Sequence, residues 1–296
     1  MDNISEQRVL VTGVGGPAGS AVVRYLKKKG FFVVGTDINK VDTEADLFIK
    51  VLPALSDGFR EELLGIIDSH RPSLIIPTVT EELVTIAELR DRLVAMGTVV
   101  YISPADTVRV AWDKFETVRF LEARGIAVPR TFMAGEASKE DIATRLGFPL
   151  LAKPLKTRGG RGVRVFESME ELMAEERTEI VFQEFIAGEE FDANLFVTED
   201  GRVDACVVLR KTALKAGLVG NALSVERVED ERVGLLAKKV VEAMRCRGPV
   251  DVDIRCKKDG TPTVLEVNAR VGGNILDAPE ILDSLIKQWR KEVKRR

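Results

Sequence analysis

Two carboxylates and a carboxamide are spaced to hold a hard metal ion. They are Asp253, followed by Glu266 and Asn268 in the run EVNAR over 266–270. Alternate residues of a β-strand share a face, so Glu266, Asn268 and Arg270 point the same way. If the turn KKDG at 257–260 pairs Cys256 with Thr261, Asp251 lies opposite Glu266 and Asp253 one step diagonal on that face. An all-oxygen set of this kind suits magnesium bridging nucleotide phosphates, with Arg270 beside it to neutralise transferring charge. Alternating polar residues more often form the solvated face of an antiparallel sheet. Here Asn268 interrupts a strongly β-forming run and Gly272, Gly273 and Asn274 follow at once, which favours the metal.

Three further stretches carry chemistry. KPLKTRGGRGV over 153–163 sets glycines and backbone amides at a loop tip between basic residues, with Lys153 projecting from the preceding strand as a point charge. Such a loop can close over phosphates, and it can equally be a solvated hairpin turn. VFQEFIAGEE over 181–190 is a strand running into a glycine. In a nucleotide site it offers backbone groups to an adenine edge and a carboxylate beyond to ribose hydroxyls; otherwise it is a strand with a turn. GVGGPAG over 13–19 follows a strand and opens a helix, with Asp37 at the end of the next strand. This reads as a dinucleotide fingerprint or as a tight turn in a doubly wound domain that binds no dinucleotide, and the rest of the chain favours the turn.

Other chemistries lack their parts. His70 is the only histidine and sits at a helix end, so serine and cysteine triads have no base. Cys206, Cys246 and Cys256 are scattered without a C-x-x-C spacing, which supports neither a disulfide framework nor zinc. The 44 basic and 47 acidic residues leave a net charge of -3, with no global field favouring nucleic acid or a membrane. MDNISEQR lacks the apolar core of a signal peptide and no apolar run approaches spanning length, so a soluble cytoplasmic protein is expected.

The elements that must position these residues follow from the hydrophobic pattern. Over the first hundred residues, RVLVT, FFVVGT, LFIKV, SLIIP and TVVYIS alternate with amphipathic stretches, a parallel α/β pattern. The pattern pauses over Ser103 to Trp112, and a helix opens at Asp113, a natural N-cap. Beyond Thr131, strands and helices in hairpin-like order, one helix capped near Ser138, read as α+β. Arg210 and Lys215 fall in a loop before the helix ERVGLLAKKVVEAM, and the tail KQWRKEVKRR reads as a frayed surface helix. The expected division is an α/β unit over 1–107 and an α+β unit over 108–296, the latter in lobes of about 108–182 and 183–296.

Taken in order and spacing, Lys114, Lys153, the loop 158–163, the linker 183–190, Asp253, Glu266 and Asn268 resemble the ATP site of the ATP-grasp superfamily. The resemblance is greatest to one synthetase unit of the carbamoyl-phosphate synthetase large subunit and its short single-unit relatives, and it covers nearly the whole chain. It implies a Rossmann-like pre-ATP-grasp domain that binds no NAD, followed by a two-lobed ATP-grasp domain. By this likeness Lys114 and Lys153 contact ATP phosphates, and Arg158, Gly159, Gly160, Gly162 and Val163 fold over them. Gln183, Glu184 and Ile186 line the adenine, and Glu190 holds the ribose. Asp253, Glu266 and Asn268 hold Mg2+, Arg270 faces the acyl phosphate, and Arg210 and Lys215 stand on the substrate side. The family often has glutamate where Gln183 falls and glutamine where Asp253 falls; the aspartate resembles the D-alanine ligase version.

The implied reaction is γ-phosphate transfer from ATP to a carboxylate, then attack by an amine or thiol on the acyl phosphate. The implied partners are small carboxylates and amines, without nucleic acid or membrane, and a homodimer is compatible with this. A non-catalytic ATP-binding regulator and an NAD-dependent oxidoreductase using the 13–19 motif are the competing readings.

Overall fold

The computed structural model describes residues 7–157, 159–216 and 219–294. The five β-branched runs become β1 (Arg8–Thr12), β2 (Phe32–Asp37), β3 (Leu47–Lys50), β4 (Leu74–Ile76) and β5 (Val99–Val100). Helices α1 (Pro17–Lys28), α2 (Phe59–His70), α3 (Leu83–Glu88) and α4 (Arg90–Ala95) lie between them. All pairings are parallel, in the order β3-β2-β1-β4-β5. Helices cover such a sheet on both faces, so Val9, Leu10 and Val11 are all fully buried although their side chains alternate.

The pause over 103–112 is a helix, α5 (Ala105–Trp112), and the boundary expected at 107/108 falls inside it. Its polar residues had masked a short buried stripe, Val108 and Ala111. Helix α6 (Lys114–Glu122) starts as expected, Asp113 accepting hydrogen bonds from the amides of Phe115 and Glu116.

The next segment is a small unit with its own core. It comprises β6 (Thr131–Met133), α7 (Lys139–Leu146) capped by Ser138, β7 (Leu150–Pro154), β8 (Arg164–Phe166), α8 (Met169–Met173) and β9 (Ile180–Glu184). The sheet is antiparallel, ordered β6-β9-β7-β8, over a cluster containing Ile142, Leu146, Phe166 and Phe182. Strand β9 continues to Glu184, two residues past the lobe boundary expected at about 182/183.

A larger antiparallel sheet follows: β10 (Glu190–Val197), β11 (Val203–Ala216), β12 (Val219–Val228), β13 (Gly248–Cys256) and β14 (Pro262–Asn268), ordered β12-β11-β10-β13-β14. Helix α9 (Glu231–Ala243) covers one face through Val233, Ala237 and Val240. Helix α10 (Glu280–Val293) covers part of the other, with Leu282, Leu285 and Trp289 grouped with Phe196, Val207 and Leu209. Two expectations are corrected here. Arg210 and Lys215 lie on the long strand β11 and not in a loop. The tail is not frayed through its tryptophan, because Trp289 is fully buried and centroid-to-centroid 5.8 Å from Phe31.

Backbone hydrogen bonds tie the ends of the small unit to the large sheet. Ala127, before β6, accepts a hydrogen bond from the Val264 amide at 2.9 Å, and Glu189, after β9, accepts from the Cys256 amide at 2.9 Å. Gly188 lies so close to the Cys256 carbonyl that a Cβ would not fit. No helix among the described residues is long and apolar enough to cross a membrane.

Candidate functional site

Antiparallel pairing arranges polar side chains in rows across β10, β13 and β14. Asp192 faces Asp253, which faces Glu266; Asn194 faces Asp251, which faces Asn268. This register differs from the one the turn suggests. Cys256 pairs with Pro262, and between the Asp253 and Ile254 pairs the partner strand carries one extra residue, Leu265. Such a bulge brings Glu266 directly opposite Asp253 and moves Asp251 onto Asn268. Asp253, Glu266 and Asn268 therefore do converge, with Asn268 Nδ2 donating to Asp253 Oδ2 at 3.4 Å.

Electrostatics mark this face. Burial pushes the Asp253 carboxyl up to about 6, with Lys211 acting in the opposite direction. The Lys211 ammonium is enclosed, donating to Glu190 Oε1 at 2.7 Å and to Asp253 Oδ1. Burial alone would lower its pKa; Asp253, Glu190 and Asp192 more than offset that and hold it well above 10.5.

Two lysines reach the same face from the neighbouring elements. Lys114, at the start of α6, is buried, donates to the Thr157 carbonyl at 2.8 Å and lies 3.7 Å from Glu266 Oε1. Lys153 on β7 donates to Gln183 Oε1 at 2.7 Å. Desolvation pushes Lys153 down to about 8, with Glu266 opposing and Lys114 reinforcing the shift.

The glycine loop follows β7. Gly159, Gly160 and Gly162 have φ of +67°, +69° and +72°, a region glycine enters without strain. Arg177 Nη1 donates to the Gly162 carbonyl at 2.6 Å, and Arg177 is itself held by Glu175, whose carboxyl Arg177 draws down to about 2. A Cβ on Gly160 would stand 2.9 Å from Gly220 Cα, so the loop rests against β12 of the large sheet. Val163 closes the turn, its amide donating to Gly160 at 3.3 Å. Arg158 lies outside the described residues.

The linker residues have partners within the protein. Gln183 is buried, and its amide is taken up by Lys153 and by Thr131 Oγ1 at 3.0 Å. Glu184 is paired with Arg130, at 3.1 Å from Nε. Ile186 is buried and its carbonyl accepts from Arg255 Nη1 at 3.3 Å. Both oxygens of Glu190 accept from cations, Lys211 and Arg255, the latter at 2.5 Å.

Arg270 joins the site. It donates to Thr80 Oγ1 at 3.2 Å and to Asn268 Oδ1 at 3.2 Å, linking the large sheet to the turn after β4. Arg210 does not join it. Successive strand residues face opposite ways, so with Lys211 inside, Arg210 lies outside, paired with Glu189 and Glu226. Lys215 is exposed further along the same strand.

Sequence reasoning missed Lys211, Arg255, Asp192 and Asn194. The alternation of Glu190, Asp192 and Asn194 was a readable signal of one polar strand face. Lys211 gave none, because which of Arg210 and Lys211 points inward depends on the pairing of β11 with β10. In the first unit, Asp37 accepts from the amides of Gly15 and Asn39, each at 3.0 Å, and so closes its own loop.

The profile of the ATP-grasp domain matches residues 111–274, more than half of the chain. The chain belongs to the ATP-grasp family. Among curated relatives of this ATP-grasp chain, the carbamoyl phosphate synthase large chain of Deinococcus deserti is 27% identical over 233 residues, 73% of this chain and 22% of that one. The chain thus spans about a fifth of that relative's length. Among solved structures, biotin carboxylase from Campylobacter jejuni, in complex with a β,γ-ATP ligand, superposes with a TM-score of 0.74 at 16% identity. The match covers 97% of this chain and 72% of that one. The biotin carboxylase domain of Hydrogenobacter thermophilus 2-oxoglutarate carboxylase, bound to MgADP and bicarbonate, gives 0.69 at 18% identity, covering 91% and 65%. At these identities the superpositions establish the ATP-grasp fold, with its mixed sheets.

Proposed function

We propose that the protein is an ATP- and magnesium-dependent carboxylate–amine ligase working through an acyl phosphate. The observation that carries this is the meeting of Asp253, Glu266 and Asn268 with Lys114 and Lys153. Hard oxygen donors on one side and ammonium groups on the other are the two halves of a nucleotide triphosphate site. The donor set fits Mg2+, which when bound supplies charge neutralisation between the β- and γ-phosphates.

In this reading Lys114 and Lys153 take the phosphate oxygens, Gln183 and Thr131 keep Lys153 extended, and Arg177 holds the glycine loop over the phosphates. A substrate carboxylate oxygen attacks the γ-phosphorus, the bond to the β-phosphate oxygen breaks, and ADP leaves. The amine nitrogen then attacks the acyl carbon, the bond from that carbon to the phosphate oxygen breaks with its electron pair going to phosphate, and the nitrogen's proton passes to the departing inorganic phosphate. Arg270 faces the transferred phosphoryl group. Glu190, engaged by Lys211 and Arg255, orients those cations and shares the ribose with them. A thiol in place of the amine follows the same bond changes.

The first unit, ending between β5 and α5, is read as a Rossmann-like pre-ATP-grasp domain. Against a nicotinamide site stands Asp37, whose two oxygens already take the Gly15 and Asn39 amides. The relatives named above support ligase chemistry over a non-catalytic regulator. The deciding experiment measures MgATP-dependent ADP release over a panel of carboxylates paired with amines or thiols. Turnover with one pair, abolished by Glu266→Gln, is the expected result; ATP binding with no turnover over the whole panel would assign a regulatory role.

A further inference from the structure

Beside the nucleotide face lies a second group of acceptors that the reading above does not use. Asp192, Asn194 and Asp251 are only 2%, 1% and 6% exposed. Oxygens of Asp192, Asp251 and Asp253 all lie within 4.8 Å of one another. Asp192 Oδ1 and Asp251 Oδ1 are buried with no hydrogen-bond donor, and Asn194 Nδ2 donates to neither nearby carboxylate. An amide that fails to donate beside two carboxylates belongs to a place where acceptors are wanted.

The roof of this place is Gly272. A Cβ there would lie 2.9 Å from both Asn194 Oδ1 and Asp251 Oδ2, so these two oxygens converge on one point under the backbone. Asn274 crosses the edge, donating from Nδ2 to Asp192 Oδ2 at 2.9 Å. Fixed positive charge is short: Lys211 serves Asp253, and Arg270 approaches Asp251 only to 3.8 Å. Buried carboxylates without compensation are costly, and a cation or a proton must supply the difference.

We propose that Asp192, Asp251 and Asn194, with Asp253 on the shared edge, bind a small divalent cation distinct from the nucleotide's magnesium and independent of nucleotide. Oxygen ligands fit a hard ion, and two donors on opposite sides of a calcium- or manganese-sized ion are about 4.8 Å apart. The Gly272 backbone closes over the Asn194 and Asp251 oxygens, a cover that suits a bare ion better than a bulky organic ammonium. Bound there, the ion ties β10 to β13 beneath Gly272.

This site needs no turnover, so its test is separate from that of the ligase reading. The full chain, stripped with chelator and free of nucleotide, is titrated with Mn2+ by calorimetry and by the loss of the free-ion paramagnetic resonance signal. One equivalent is expected, with a higher melting temperature. Asp251→Asn and Asp192→Asn should each weaken binding at least tenfold, Gly272→Ala should do likewise by crowding the roof, and Glu266→Gln should leave it unchanged. Circular dichroism identifies which variants remain folded, and the folded ones decide. Absence of Mn2+ binding without nucleotide would overturn the proposal and leave a proton shared by Asp192 and Asp251. Loss in Glu266→Gln with retention in Asp251→Asn would overturn it equally, assigning the ion to the nucleotide site.

Discussion

Asp253 and Glu266 face one another across β13 and β14, and one extra residue, Leu265, sets that pairing. If the pair shares magnesium with nucleotide phosphates, its loss should matter when ATP is present and little otherwise. Asp253→Asn, Glu266→Gln and Asn268→Ala should each lower magnesium-dependent ADP formation by about a hundredfold, the effect of roughly 3 kcal/mol of lost charge stabilisation. Melting of the nucleotide-free variants should stay near native. Three variants with near-native turnover would make the carboxylates structural.

Lys153 gives a pH signature. Its pKa of about 8 lies below the ordinary 10.5, so between those values the unfolded chain holds a proton that the folded chain has released. Stability should therefore gain from this group as pH rises through that window, and Lys153→Met should remove the gain. Triphosphate beside the amine favours the charged form, so ATP binding near pH 9 should take up a proton, read as a dependence of binding enthalpy on buffer ionisation. Lys153→Ala should also raise the ATP dissociation constant tenfold or more, a charge-assisted contact being worth about 1.5 to 3 kcal/mol.

Removing Lys211 leaves Glu190 and Asp253 buried with one cation fewer. Lys211→Met should cost about 3 to 5 kcal/mol by denaturant melting, the usual result of deleting one partner of a buried pair. Adding Glu190→Gln should recover part of it, because it removes a charge left without its partner. An additive double mutant would show that the two residues act independently.

Asp37→Ala tests the first unit. It deletes the acceptor of two loop amides and should lower stability by roughly 1 to 2 kcal/mol. Wild-type protein should give no saturable NADH fluorescence enhancement, and a saturable signal abolished by Asp37→Ala would restore the dinucleotide reading.

Local signals in the sequence carried the parallel sheet and the helix caps. Four of the five runs of the first unit are largely buried on both faces, β3 being only partly covered, and Asp113 and Ser138 cap within three residues of themselves. Asp253, Glu266, Asn268 and Arg270 were legible as one face because strand alternation is local. Their register was not, since a bulge at Leu265 leaves no mark in a hydrophobic pattern. Helix α5 was hidden by being short and opening directly after the Ser-Pro pair, and α10 by its basic tail, although Trp289 anchors it. Long-range pairing decides the rest: Lys211 points inward and Arg210 outward only because β11 lies beside β10 in that register.

The meeting of Gly160 with Gly220 has a consequence for how the two lobes part. Backbone meets backbone there, so this contact gains little dispersion energy from side chains. A side chain at Gly160 would act as a wedge, propping the loop away from β12.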